Sequence, residues 1–449
     1  MKPQAGVSRT SITPTKPVEL TGWGYYLERF WIDVRDGLNA TSLVIETSDE
    51  VLAIVSVDLM VISSEFTQQI RAGVSKETDI PAGNILVTAT HTHNAPASGG
   101  LLGVGEVDPD YEKWAAEQAI ATTIHAWNSR EPVSLFTATS ECHDLTFNRT
   151  RSDGAIDPTL TTLQVQRSDD STMAFVVGFQ GHPTVSTNLH PFSVSRDLPG
   201  EVCDHLEKIF PNCTAMYLQG ACGDTNFHRF YADSKSAAAI PARSLCIAAI
   251  GSLASRERID ASQIAIRSQT VQLPTRRWTL EEIQNDRREA EQRLNDRDLS
   301  GWNETIGRVM TTRPHEMVAR HGGDEWKAVA AMCRFNVEWT DLMLVDLETR
   351  PEWLETEIQA MRIGDFGMVS NSSEFFSSLA LEVRKRIDLP HLILACYSNG
   401  RIGYLPDAYD VERKTYAAYQ SPKYCNQFPF TEESGEVMVT AMSDLLNSL

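Results

Sequence analysis

The chain reads as a mixed α/β fold, a sheet core covered by helices with one helical insertion. Three patterns predict it. Short runs rich in β-branched and aliphatic residues recur through the first 270 residues, and helix-periodic stretches fall between several of them. From Leu273 a charged, helix-like block breaks the pattern, and strand signals then resume. Strands are expected at 42–45, 51–58, 85–90, 135–140, 163–166, 173–179 and 214–219, and helices at 64–74, 111–127, 200–209 and 237–253. The block WTLEEIQNDRREAEQRLNDR carries a thin apolar stripe, and Thr279 followed three residues later by Glu282 has the form of a capping box. A second helical stretch at about 315–332 completes an insertion at about 275–335 within a single domain of 1–449. Strands follow at 339–347, 357–363 and 366–371, then a helix at about 372–387 and a strand at 392–397.

Composition excludes several function classes. The chain has 449 residues, 42% apolar and 22% charged, which is the balance of a soluble globular protein. Its net charge of -20 repels phosphate backbones and anionic headgroups, so nucleic acid and a polybasic membrane patch are not expected partners. No run reaches 18 apolar residues, so no membrane insertion is expected. The opening MKPQAGVSRTSITP has no apolar core of a signal peptide, which points to a cytoplasmic protein. Eight cysteines without any CxxC pair read as reduced core thiols rather than a zinc ribbon or redox motif.

The motifs that bear on chemistry sit where strands end. NILVTATHTH, at 84–93, is an apolar strand running into His91 and His93; alternation along a strand places both on one side. Imidazole titrates near neutrality and is the commonest metal ligand, although a bare HxH is as compatible with two ordinary loop histidines. His182 leaves another strand in GFQGHP, and His190 lies further out in that loop. Glu374, in VSNSSEFF, has two readings: a helix cap reaching back to the backbone of Asn371, or a ligand at the loop edge of the sheet. LQGACGDTN, at 218–226, is a strand with a Gly-rich turn. Cys222 there does not have the G-x-S-x-G spacing of a nucleophile elbow and reads as structural, whereas Asp224 and Asn226 can hydrogen-bond at a site. Arg149, Tyr404 and Tyr416 are unremarkable one by one.

Together, VSRTSITPTKPVELTGWG, THTHNAP, FNRTR, GHPTVS…SRDLPG, LQGACGDTN, NSSEFFSSLALEVRKR and SNGRIGYLPDAY occur in an order that resembles the neutral/alkaline non-lysosomal ceramidase family, specifically its N-terminal catalytic domain. The resemblance spans residue 7 to about 420. It implies a zinc-dependent hydrolase that cleaves the amide bond of a small-molecule N-acyl substrate, ceramide-like or smaller, with metal-activated water. The zinc ligands it implies are His91, His182, Glu374 and Tyr404, the last a weak ligand because a phenol's ordinary pKa is about 10. It implies His93 as proton carrier, and Arg149 and Tyr416, twelve residues beyond Tyr404, at the reacting centre.

One departure matters. The family's serine in GDVSPN falls on Asn226, so hydroxyl-assisted catalysis from that position is not expected, and Asn226 is expected to position substrate. The sequence runs 33 residues beyond Tyr416, so the family's immunoglobulin-like C-terminal domain is not expected. Alternatives are an ester or lactam hydrolase of the same family and an inactive binding relative. An amidohydrolase barrel also uses HxH, but repeated βα units and a late catalytic Asp are not evident.

Overall fold

In the computed structural model the described residues are 2–48, 50–187, 189–228, 237–302 and 314–449, so part of the expected insertion, 303–313, lies outside them. The β-branched runs of the first half assemble a large mixed sheet. Its strand order is Thr214–Gln219, Thr172–Phe179, Thr159–Arg167, Glu131–Glu141, Gln4–Ser11, Asn39–Glu46, Val51–Val57, Ile85–Ala89, with Glu257–Arg258 paired beside Glu131–Glu141. A second sheet runs Ile264–Pro274, Trp353–Ile363, Phe366–Ser370, His391–Ala395.

The two sheets pack face to face. Leu43, Ile45, Ile54, Leu163, Val176 and Leu218 of the first meet Met361, Phe366, Met368 and Ile393 of the second in one apolar layer. Helices Ser64–Glu77 and Pro109–Asn128 cover part of the first sheet's outer face, and Asp197–Ile209 and Ala239–Ser252 cover the rest. Ser377–Arg386 and Ser434–Asn447 cover the second sheet. The mixed α/β class is as expected; the strands expected at 357–363, 366–371 and 392–397 form, with Ile264–Pro274, a second sheet of their own. Open sheets of mixed direction also exclude the barrel alternative. Each large apolar side chain in the sandwich contributes about 1.5–3 kcal/mol on burial, which fixes the strand ends relative to one another.

Two elements differ from expectation. Residues 339–347 are not a strand. Trp339 and Met343 continue the stripe of Met332 and Phe335 along the helix Glu325–Leu344, whose N-cap is Asp324. Four-residue spacing had been obscured by the many aliphatic residues around it. The stretch at 315–332 is likewise two helices, Pro314–Arg320 and Glu325–Leu344, separated at Gly322 and Gly323, whose φ angles of 69° and 84° suit glycine. The Thr279–Glu282 capping box is present. The whole excursion leaves and re-enters one antiparallel pair, at the register Pro274 to Trp353.

The chain beyond His391–Ala395 decides where the site forms. Cys396 N–H donates to Gln219 O at 2.9 Å, Ala89 N–H to Tyr397 O at 3.1 Å, and Asn399 N–H to Val87 O at 2.8 Å. This segment therefore joins the two outermost strands of the large sheet. The ends of Ile85–Ala89, Thr172–Phe179 and Thr214–Gln219 meet at one place as a result.

Candidate metal and catalytic site

His91, His93, His182, Glu374, Tyr404, Arg149, Asn226 and Tyr416 are brought together at that junction, and His190 is not. His91 reaches it differently from expectation. The strand ends at Ala89, and His91 has a φ of +63°, a left-handed conformation, so strand alternation does not orient the pair. The His91 N–H donates to Leu59 O at 2.9 Å, and its Nδ1 lies 2.8 Å from Met60 O. Its ring stacks on Tyr397 at a centroid distance of 3.9 Å. His93 Nδ1 lies 2.7 Å from Gly22 O, and His182 Nδ1 lies 2.8 Å from Cys222 O.

A carbonyl oxygen only accepts, so all three Nδ1 atoms carry the proton and all three Nε2 atoms turn inward. His91 Nε2 is 3.1 Å from His182 Nε2 and 3.3 Å from His93 Nε2. Burial, then neighbouring positive groups, hold His93 and His182 well below the usual imidazole range, so both present lone pairs. Glu374 adds a carboxylate oxygen, Oε2, 3.4 Å from His91 Nε2 and 3.6 Å from His182 Nε2, buried and without a hydrogen-bond donor.

A single proton can satisfy one of these contacts, whereas a metal ion satisfies all of them together. Donors about 2.0–2.2 Å from a tetrahedral zinc lie roughly 3.3–3.6 Å from one another, which the observed separations approach. The donor set therefore fits a divalent cation of the zinc type.

Glu374 is placed by a strand pair rather than a cap. Glu374–Phe375 runs parallel to Tyr404–Leu405, with Glu374 opposite Tyr404. The helix starts only at Ser377, and Asn371 Oδ1 instead accepts from Ser373 N at 2.9 Å and Ser373 Oγ at 2.7 Å. The cap reading fails because this local turn uses the asparagine. The Tyr404 hydroxyl donates to Glu374 and accepts from Arg149 Nη2 at 2.8 Å. Burial chiefly, and Glu374 after Arg149's opposing pull, keep that phenol well above its ordinary range.

Arg149 is clamped behind Tyr404. Its Nη2 and Nε donate to Gly223 O at 2.7 and 3.2 Å, and its Nη1 reaches Asn226 Oδ1 at 3.5 Å. Burial lowers its pKa, but Tyr404 and Glu374 outweigh that, so the guanidinium stays charged. Asp224 is structural: it accepts from Ser377 N at 2.8 Å and from Asn148 Nδ2 at 2.7 Å, bracing the segments of Glu374 and Arg149. Tyr416 opens a single π-helical turn, and its ring meets that of Tyr404 edge-on at 5.6 Å. His190 is outside the cluster of ring nitrogens and gives its carbonyl to Asn94 Nδ2. The Cys222 thiol is buried against the Tyr397 hydroxyl at 2.9 Å and is pushed well above the thiol range by burial, consistent with a structural role.

Gly22 and Tyr397 are contributors that were not singled out. Gly22 lies in the GWG of the opening motif, a signal that was present; Tyr397 reads in sequence only as the end of a strand.

No family model and no curated protein matches the chain. Among solved structures it is similar to neutral ceramidase from Pseudomonas aeruginosa, with a TM-score of 0.74 over 99% of this chain and 74% of that one, at 17% identity. It is also similar to a ceramidase complexed with C2, with a TM-score of 0.73 over 99% and 75% of the two chains, at 16% identity. The chain has the neutral-ceramidase fold over nearly its whole length.

Proposed function

We propose that this protein is a zinc-dependent hydrolase that cleaves the amide bond of an N-acyl substrate. The observation that carries the proposal is the convergence of His91, His182 and His93 Nε2 with the orphaned Glu374 Oε2, on a fold shared with ceramidases. His91, His182 and Glu374 hold the ion in this reading, with Tyr404 beside Glu374. Zinc so held supplies Lewis acidity and lowers the pKa of water towards about 7.

The chain's own groups do the rest. His93 is neutral and its ring is fixed by Gly22 O, so its Nε2 lone pair takes a proton from the attacking water and returns it to the leaving amine. Arg149 keeps a full positive charge beside the reacting carbonyl, and the Tyr416 hydroxyl lies on the same wall, so both serve the developing oxyanion. Asn226, held by Arg149, orients substrate. A second reading makes His93 the fourth ligand in place of Tyr404, and the 3.3 Å separation from His91 favours it.

Dipicolinate chelation followed by zinc add-back, with hydrolysis of N-acyl amides, esters and lactams as readout, tests the proposal. Amide turnover lost and then restored is expected. Turnover that survives in metal-free protein, or restricted to esters or lactams, contradicts it.

A further inference from the structure

Behind His93 lies a group of charges that amide hydrolysis does not use. Arg29 is 1% exposed, and its Nη1 donates to Thr21 O at 2.6 Å and to His93 O at 3.0 Å. Its Nη2 is buried without any acceptor. Arg320, at the end of Pro314–Arg320 in the insertion, has a buried Nε with no acceptor among the described residues. Glu316, on the same helix, attracts it through space. Both guanidinium carbons sit 4.2 Å from the ring centroid of Trp23. Burial, and after Tyr26's opposing pull the charge of Arg320, bring Arg29 down to about 9; burial, opposed by Glu316 and Tyr416, lowers Arg320 to about 10.

The placement ties this pair to the reaction site. Arg29 bears on His93, and Arg320 bears on Tyr416. Tyr26 completes the wall, edge-on to His321 at 5.3 Å and to Phe192 at 6.4 Å. A buried guanidinium at Arg29, bonded only to the carbonyls of Pro191, Thr21 and His93, and a half-buried one at Arg320, neither in an ion pair with a described residue, are costly unless an anion completes them. Their planar forks suit a carboxylate. A protein of net charge -20 also needs such a local positive focus to admit an anionic substrate at all.

We infer that Arg29 and Arg320, stacked on Trp23, form a carboxylate subsite, so the preferred substrate is an N-acyl amino acid rather than a neutral ceramide. The inference rests on the amide-hydrolase reading and narrows it to a substrate class. The carboxylate of the amine portion docks on the guanidinium pair while the amide carbonyl lies by Arg149 and His93.

The test compares kcat/KM for N-lauroylglycine with that for neutral N-lauroylethanolamine and for ceramide, in wild type and in Arg320→Met and Arg320→Lys. The acidic substrate is expected to lead in wild type by about 10–10²-fold, the range of one charge-assisted contact. Arg320→Met should bring the ratio of acidic to neutral towards one, mainly through KM, and Arg320→Lys should fall between. Ratios unchanged in both variants, or a wild type that prefers ceramide, overturn the subsite. Absence of turnover on all three amides counts against the hydrolase reading instead.

Discussion

Gly22 is where one methyl group tests the role given to His93. Thr21 N–H donates to Ala95 O at 3.0 Å, which holds this loop against the histidine segment, and Gly22 has a φ of +135°. A Cβ there would lie 2.8 Å from both His93 Cβ and His93 O, against 3.4 Å at which ordinary contact begins. The histidine or the loop must therefore shift by about 0.6 Å, since 3.4 less 2.8 is 0.6. The backbone conformation adds roughly 1–3 kcal/mol of strain for a residue with a side chain. A displacement approaching 1 Å at a reacting group costs on the order of 10²-fold in rate. Gly22→Ala is thus expected to lower kcat/KM by about 10–10²-fold. The zinc content, measured by mass spectrometry on the same samples, is expected to stay at that of wild type, because His91, His182 and Glu374 are untouched. Activity within twofold of wild type would refute the placement of His93 at the reacting centre. Zinc lost in step with activity would make His93 a ligand.

Other predictions address separate parts of the structure. Arg149→Met removes the donors to Tyr404 and Gly223 and should lower kcat by roughly 10²–10³-fold; a loss confined to KM would contradict an oxyanion role. Burial raises Asp58 from 3.8 to about 6. The folded state then keeps a proton that the unfolded chain releases, so this stability is full below about pH 4 and is lost as pH rises through about 6. Asp58→Asn, which can still accept from Asn39 N and meet Thr90 Oγ1, should gain about 2–3 kcal/mol relative to wild type between pH 4 and pH 8. Equal denaturation slopes against pH in the two proteins would refute that assignment. Mass mapping after iodoacetamide treatment of the native protein at pH 8 should find Cys222 unmodified, because burial suppresses its thiolate; rapid labelling would reopen a nucleophilic role.

What could be read in the sequence follows from what kind of signal each feature leaves. Val51–Val57, Ile85–Ala89 and Thr172–Phe179 are dense in β-branched residues because both faces are buried, and such runs are visible locally. Gln4–Ser11 is polar and mostly half-buried, and Ile264–Pro274 has a long exposed polar stretch, so neither shows an apolar run, and they become strands only by pairing with distant segments. The eight candidate residues came from ordered motifs, but not the means of their convergence. The left-handed turn at His91 depends on Leu59 and Met60, and the Glu374 to Tyr404 register joins segments thirty residues apart. The charge focus at Arg29 and Arg320 was invisible for the same reason: only folding brings both guanidinium groups to Trp23. No described helix is long and apolar enough to cross a membrane, in line with the absence of an apolar run of that length.

The central claim is that His91, His182 and Glu374, with Tyr404 beside them, hold one metal ion, and zinc titration of chelator-stripped protein by calorimetry measures it most directly. One zinc per chain is predicted for wild type, with His182→Ala and Glu374→Gln each weakening uptake by at least tenfold. No uptake by wild type, or equal uptake by wild type and both variants, would contradict it.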